Sequence, residues 1–321
     1  MYRSGQRDGD VLLQKDAVML IHAHISTDTT VHSPEWLNYV VPMADMIEPS
    51  WNTAEAGAEV ARKYGMRTGT LLIAYRTPTV TAMKPITGPG VLVPDERCLH
   101  HRDGRVWRVN ETAYKPQADP SLRFLNSRHP DVREAALADR AVLKGFGYAG
   151  VRYDETIIGW GRWNSIDFND CAEFTSSASY AYQLAALMRE LREQPGGWVQ
   201  LPSVMQPGES EAARIFSACR GLSCENFPAG NGLTREAWTE KGIRAIDVPY
   251  GATERSIAVG AAIASTLRRI AAPVDVMTFA NFPLGIGAAS DMVAGFSGSR
   301  LYVNVDSLRD KKTGWLITPL R

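Results

Sequence analysis

Gly145-Phe146-Gly147-Tyr148-Ala149-Gly150-Val151-Arg152-Tyr153-Asp154-Glu155 is the stretch that decides the fold. Two glycines stop a helix that runs from Asp131 to Lys144. A short β-branched and aromatic strand follows, Ala149 to Asp154, and it ends in carboxylates. Helix, glycine stop, buried strand and acid is the local signature of a parallel sheet with crossover helices.

The same rhythm extends in both directions. Upstream lie strands at Ala17–Ile25, Ala44–Pro49 and Thr68–Tyr75. Between them, Ser33-Pro34 and Asn52-Thr53 open helices. Downstream, a helix over Cys171–Gln194 breaks at Pro195-Gly196-Gly197. Further strands are expected at Trp198–Pro202, Gly221–Glu225, Ile243–Val248 and Val274–Ala280, with a C-terminal strand at Arg300–Val305. Eight strand-then-helix units predict one α/β domain spanning 1–321, a (β/α)8 TIM barrel. Residues of about 76–129 form a long loop after the third strand, and those of about 297–321 form a C-terminal extension. A doubly wound open sheet is disfavoured, because no glycine-rich phosphate loop follows the first strand. Gly285-Ile286-Gly287 after the eighth strand reads as a tight turn.

Composition narrows the function. Apolar residues are 45% and charged residues 22% of the 321, as in an ordinary soluble domain. Thirty-five basic residues balance thirty-five acidic ones, so no nucleic-acid footprint exists. No apolar run reaches the roughly 18 residues of a membrane span. The polar start, Met1 to Asp8, lacks a signal-peptide core, so a cytoplasmic location is the expectation. Four cysteines without a CxxC pair are expected as buried thiols. Nothing here assigns an oligomeric state.

Chemistry in a barrel sits where strands end at their carboxyl side. Those positions hold His22 and His24, Glu48 and Trp51, Tyr75, Asp154, Glu225, Asp247 and Asn281. Arg152 stands two residues before Asp154, on the same side of the strand, and an adjacent guanidinium keeps a carboxylate ionised, as a nucleophile requires. Glu225 ends an apolar strand, and desolvation raises a carboxyl pKa, as a general acid requires. Trp51, Trp160 and Trp163 offer flat apolar faces to sugar rings, so an oligo- or polysaccharide is the expected partner. His22-Ala23-His24 invites a metal test. No histidine follows His129, so later strands supply none, and neither a metal nor a cofactor is expected. His24 is read instead as lining the sugar site, and His100-His101 as a solvated turn.

The segments Phe124-Leu125-Asn126-Ser127-Arg128-His129-Pro130-Asp131-Val132-Arg133 and Gly145 to Glu155 resemble those of glycoside-hydrolase barrels related to α-galactosidases, dextranases and α-amylases. These carry N-P-x-x-P-x-x-R…G-F-D-G-x-x-x-D before the nucleophile. Cys98 to Gly104 is similar to their W-x-x-x-D-x-D-G loop, and Gly150 to Asp154 to their G-x-R-x-D strand. The likeness covers about residues 40–155; Ala149 replaces the usual Asp, and the histidine after the nucleophile is missing. The resemblance implies a retaining hydrolase with Asp154 as nucleophile and Glu225 as acid/base. Arg152, Trp51, Glu48, Tyr75, Trp160, Trp163, His24, Asp247 and Asn281 are the expected substrate contacts. Two rivals are a non-catalytic carbohydrate-binding barrel, as a structural component of a larger assembly such as a viral particle, and a phosphate-binding barrel enzyme such as an aldolase or isomerase. The second wants a strand-end lysine, which the eight strands lack.

Overall fold

A computed structural model of the chain describes residues 19–27, 32–51, 53–76, 94–108, 123–153, 166–202, 214–215, 218–225, 275–279 and 300–305. Among these residues lie eight strands: β1 (Met19–Ser26), β2 (Met46–Ser50), β3 (Leu71–Arg76), β4 (Gly150–Tyr153), β5 (Val199–Pro202), β6 (Gly221–Glu225), β7 (Asp275–Phe279) and β8 (Arg300–Asn304). Four α-helices accompany them among the described residues: α1 (Pro34–Val40), α2 (Ala54–Lys63), α3 (Pro130–Gly145) and α4 (Ser177–Glu193).

Local chemistry fixes the helix starts. Ser33 Oγ accepts from Trp36 N, with Pro34 next in line, and Thr53 Oγ1 accepts from Ala56 N. His129 caps α3 through its ring, and Ser176 with Ser179 forms a reciprocal capping box for α4. These caps hold each helix where the preceding strand delivers it.

The strands form one sheet in the order β5-β4-β3-β2-β1-β8-β7-β6, and every pair is parallel. Successive side chains face opposite sides of a strand, and the two faces bury different things. Ile21, Ala23, Ile25, Ile47, Leu72 and Val151 point toward the helices, packing with Leu37, Ala58, Leu143 and Leu184. On the other face Met46, Ile73, Leu201, Met277 and Tyr302 form a second buried cluster. That cluster joins β2, β3, β5, β7 and β8, so the sheet curls around its own inner face. The end strands in the order, β5 and β6, come together there. A Cβ on Gly221 would stand 2.5 Å from the Gln200 carbonyl oxygen, so only glycine permits the approach.

The strand sequence departs from expectation at its end. Ile243–Val248, expected as the seventh strand, lies outside the described residues. The run expected as the eighth strand is β7, hydrogen-bonded directly to β6 from Gly221↔Asp275 to Glu225↔Phe279. Arg300–Asn304, expected within a terminal extension, is β8 and occupies the place between β7 and β1. Partner choice between distant parallel strands is non-local, and β-branched periodicity carries no information about it.

Isolated bridges tie together the described parts of the long connection after β3. Isolated antiparallel bridges pair Cys98 with Leu125, His100 with Val106, Arg108 with Arg123, and His101 with Cys171. The solvated turn expected at His100-His101 is therefore corrected. His101 is buried, stacks on Trp107 at 3.6 Å between ring centroids, and meets Asp170 Oδ2 at 2.7 Å.

Candidate active site

On the inner face, polar residues gather toward the carboxyl ends of several strands. β1 contributes His22 and His24, β2 contributes Glu48, β4 contributes Arg152, and β6 contributes Ser223. Strand register aligns His24 with Glu48, and Tyr75 of β3 with Arg152. The polar layer sits directly above the Met46, Ile73 and Leu201 cluster, one pleat further along β2 and β3.

Glu48 is the centre of this layer and is fully buried. Its Oε1 accepts from Arg152 Nη1 at 3.3 Å. Its Oε2 stands 3.6 Å from His22 Nε2, and Oε1 stands 3.8 Å from His24 Nδ1, both beyond hydrogen-bond distance. Arg152 Nε donates to Ser223 Oγ at 3.1 Å, and its guanidinium lies 5.4 Å from the Tyr75 ring centroid. Further out, Ser26 Oγ and His32 Nδ1 are 2.9 Å apart, and the His32 ring meets His24 edge-on at 6.2 Å.

Burial and charge oppose each other here. Burial alone would push the Glu48 carboxyl up, but Arg152 beside it, aided by His22 and His24, holds it well below the usual carboxylate range. Glu48 is thus ionised in a dry setting. Burial also lowers His24, and Glu48 only partly offsets that, so His24 is neutral near pH 7. A neutral imidazole both donates and accepts, and the His24 side chain keeps 22% of its surface open.

The expected site residues divide into three groups. Glu48, Arg152 and His24 gather in one layer, and Tyr75, 38% exposed, stands at its edge. Trp51 is partly buried and packs against the helix-facing core. Asp154, Trp160, Trp163, Asp247 and Asn281 lie outside the described residues, and Glu225 closes β6 in register with Phe279, its side chain likewise undescribed. Of the layer, Ser223 was not picked out, and His22 was named only at the strand end and as half of a metal motif, not as a substrate contact. Alternation from His24 and from Glu225 was the signal that would have found them. Among the described residues no group of three or more His, Cys, Asp and Glu side chains is arranged to hold a metal ion.

A pocket lies on the helix side of β4. Tyr153, Arg76, Asp139 and Met188 are among the residues that line about 200 Å³, and Arg76 pairs bidentately with Asp139 at 2.8 and 2.9 Å. It is separated from the polar layer by the sheet itself.

No family model matches this sequence, and no curated protein matches it at the sequence level. Solved structures do match in fold. The α-galactosidase from Thermus thermophilus, in complex with p-nitrophenyl α-D-galactopyranoside, superposes with a TM-score of 0.52 at 14% identity, covering 95% of this chain and 62% of that one. Amy13B from Eubacterium rectale gives 0.51 at 10% identity, over 96% of this chain and 70% of that one. The trehalose-6-phosphate hydrolase from Bacillus licheniformis gives 0.50 at 13% identity, over 81% of this chain and 57% of that one. At such identities the likeness is one of fold: this chain's parallel sheet curls as theirs do, and its structural neighbours include glycoside hydrolases.

Proposed function

We propose that the chain is a retaining glycoside hydrolase on a closed, single-domain (β/α)8 barrel with a long excursion after β3. Asp154 is the nucleophile and Glu225 the acid/base. One observation carries the reading. Arg152 Nε and Ser223 Oγ meet at 3.1 Å across the inner face of the sheet. Asp154 lies two residues beyond Arg152, and Glu225 two residues beyond Ser223. Strand alternation returns to the same face every second residue. The contact therefore supports two carboxyl groups flanking one spot, one pleat closer to solvent, as glycosidic cleavage requires.

In this mechanism Asp154 attacks the anomeric carbon while Glu225 protonates the departing oxygen. Glu225 then takes a proton from the water that hydrolyses the glycosyl-enzyme. Arg152 keeps Asp154 ionised, His24 and Tyr75 meet sugar hydroxyls, and Trp51, Trp160 and Trp163, with Asp247 and Asn281, shape the subsites. The reaction uses neither cofactor nor metal, and the partner is an oligo- or polysaccharide.

The test uses a panel of 2,4-dinitrophenyl glycosides of both anomers. The wild type should release dinitrophenol from at least one, with retained configuration in the sugar first formed, read by proton NMR. Asp154→Asn should abolish release, and azide should rescue Asp154→Gly as a glycosyl azide of inverted configuration. Glu225→Gln should spare the dinitrophenyl substrate's first step and slow a poor leaving group by about 10²–10⁴-fold. Undiminished turnover by Asp154→Asn would end the proposal.

A further inference from the structure

We infer that Glu48 is a positioning residue: with Ser223 it clamps the Arg152 guanidinium from opposite strands of the curled sheet and does not itself touch substrate. The inference rests on the reading of Asp154 as nucleophile and deepens it.

Three observations carry it. First, Glu48 has no solvent-exposed surface, and Arg152, His22 and His24 stand on the sides its carboxylate faces. A sugar hydroxyl would have to displace one of them to reach it. Second, Arg152 is held at two separate atoms. Glu48 Oε1 on β2 takes Nη1, and Ser223 Oγ on β6 takes Nε. The Tyr75 ring on β3 covers the guanidinium at 5.4 Å. Two bonds to different nitrogens of a planar fork fix its rotation as well as its place. Third, the two anchors come from β2 and β6, on either side of β4, and all three side chains lie on the inner face of the sheet.

The charge on Glu48 has a purpose in this arrangement. A guanidinium cannot shed its proton, so burying it demands a permanent counter-charge. Glu48 supplies that counter-charge, Oε1 to Nη1 at 3.3 Å. Among the described residues, the titratable and charged groups facing this layer are His22 and His24 of β1, Glu48 of β2, Tyr75 of β3 and Arg152 of β4, with His32 beside His24.

The experiment separates this inference from the proposal beneath it. Kinetics on the best dinitrophenyl glycoside would be run for the wild type, Glu48→Gln, Glu48→Asp, Ser223→Ala and Asp154→Asn. In parallel, the Arg152 Nε–H signal would be followed by ¹⁵N–¹H NMR on ¹⁵N-arginine protein, assigned by its loss in Arg152→Lys. A clamp predicts an Nε–H protected from solvent exchange in the wild type and broadened in both Glu48→Gln and Ser223→Ala. It predicts that kcat falls by up to about 100-fold in Glu48→Gln with KM unchanged, since misplacing a catalytic group by about 1 Å costs that much. The acid limb of the pH profile should move in the same variant, and Glu48→Asp should recover part of both. A raised KM with kcat intact would mean that Glu48 contacts sugar and would overturn the inference. So would an Arg152 Nε–H as protected in Glu48→Gln as in the wild type. If Asp154→Asn keeps its turnover, the proposed function fails, while the NMR result still decides the clamp.

Discussion

Glu48 and Arg152 are paired inside the sheet, Oε1 to Nη1 at 3.3 Å, with only 1% and 6% of their side-chain surfaces open to water. Such a pair is costly to assemble and costlier to break, because the survivor is a buried, uncompensated charge. Glu48→Ala should lose about 3–5 kcal/mol of folding stability. Glu48→Leu combined with Arg152→Met should lose much less than the two single changes together. Urea unfolding of the four proteins measures the difference. The folded carboxyl is held below its unfolded value near 4.3, so its contribution is full above that pH and drains away as the solution becomes more acid. Glu48→Gln should flatten that acid limb, and a limb as steep as the wild type's would assign it to other carboxylates.

His24 acts in a different pH window. Its folded pKa lies below the unfolded value of about 6.5, since burial disfavours the imidazolium. The unfolded chain therefore takes up a proton first, and stability is full above about pH 6.5 and falls as pH drops below it. His24→Gln keeps a polar group of similar reach without the titration. Its melting temperature should vary less between pH 7 and pH 5 than the wild type's. Equal slopes in the two proteins would show that His24 is not the group responsible.

Much of the site was legible because strands report their own faces. Glu48, Arg152 and His24 were found by taking polar residues at the ends of apolar runs, and they gather in one layer. Ser223 escaped because a serine in Gly221-Leu222-Ser223-Cys224-Glu225 looks like filler until Arg152 is seen to reach it. His22 was read as half of a metal motif; its register partner on β2 is Met46, and the approach of its ring to Glu48 at 3.6 Å shows only once the sheet is folded. The first six strands were placed correctly, since each bears its own hydrophobic run. The place of Arg300–Asn304 beside β1 was not, because that pairing joins chain positions nearly three hundred residues apart and no local pattern encodes it.

Gly150 offers a sharp packing test. A Cβ there would sit 2.3 Å from the Val199 carbonyl oxygen and 2.7 Å from its Cβ. That oxygen belongs to the β4–β5 pairing, in which Gly150 and Val199 are partners, so it cannot move without breaking the register. Gly150→Ala should cost about 3 kcal/mol or more, at the severe end of overpacking. Gly104 is the control. Nothing lies within 4 Å of its Cβ position, but its φ is +89°. Gly104→Ala should cost only the left-handed backbone penalty of roughly 1–2 kcal/mol. The two urea midpoints rank the effects, and a Gly104→Ala protein as damaged as Gly150→Ala would refute the backbone-clash account.

Glu173 ties the excursion after β3 to the segment that follows β4. Its Oε2 accepts from the His100 backbone N–H at 2.9 Å, and its Oε1 meets His100 Nδ1 at 2.7 Å. Arg128 binds its carbonyl oxygen, and the Arg128 guanidinium lies 4.4 Å from the Phe174 ring centroid. Both connected segments leave the carboxyl ends of their strands, beside the proposed active site, so this tie bears on the shape of its entrance. A hydrogen bond to a charged group is worth about 1.5–3 kcal/mol. Glu173→Ala should therefore raise hydrogen exchange at 98–108 by about 10–100-fold, while amides in β1 to β3 keep their protection. Substrate breadth on the glycoside panel should widen in the same variant. Unchanged exchange at 98–108 would mean that Trp107, Phe124 and Phe174, all buried, hold the excursion by apolar packing alone.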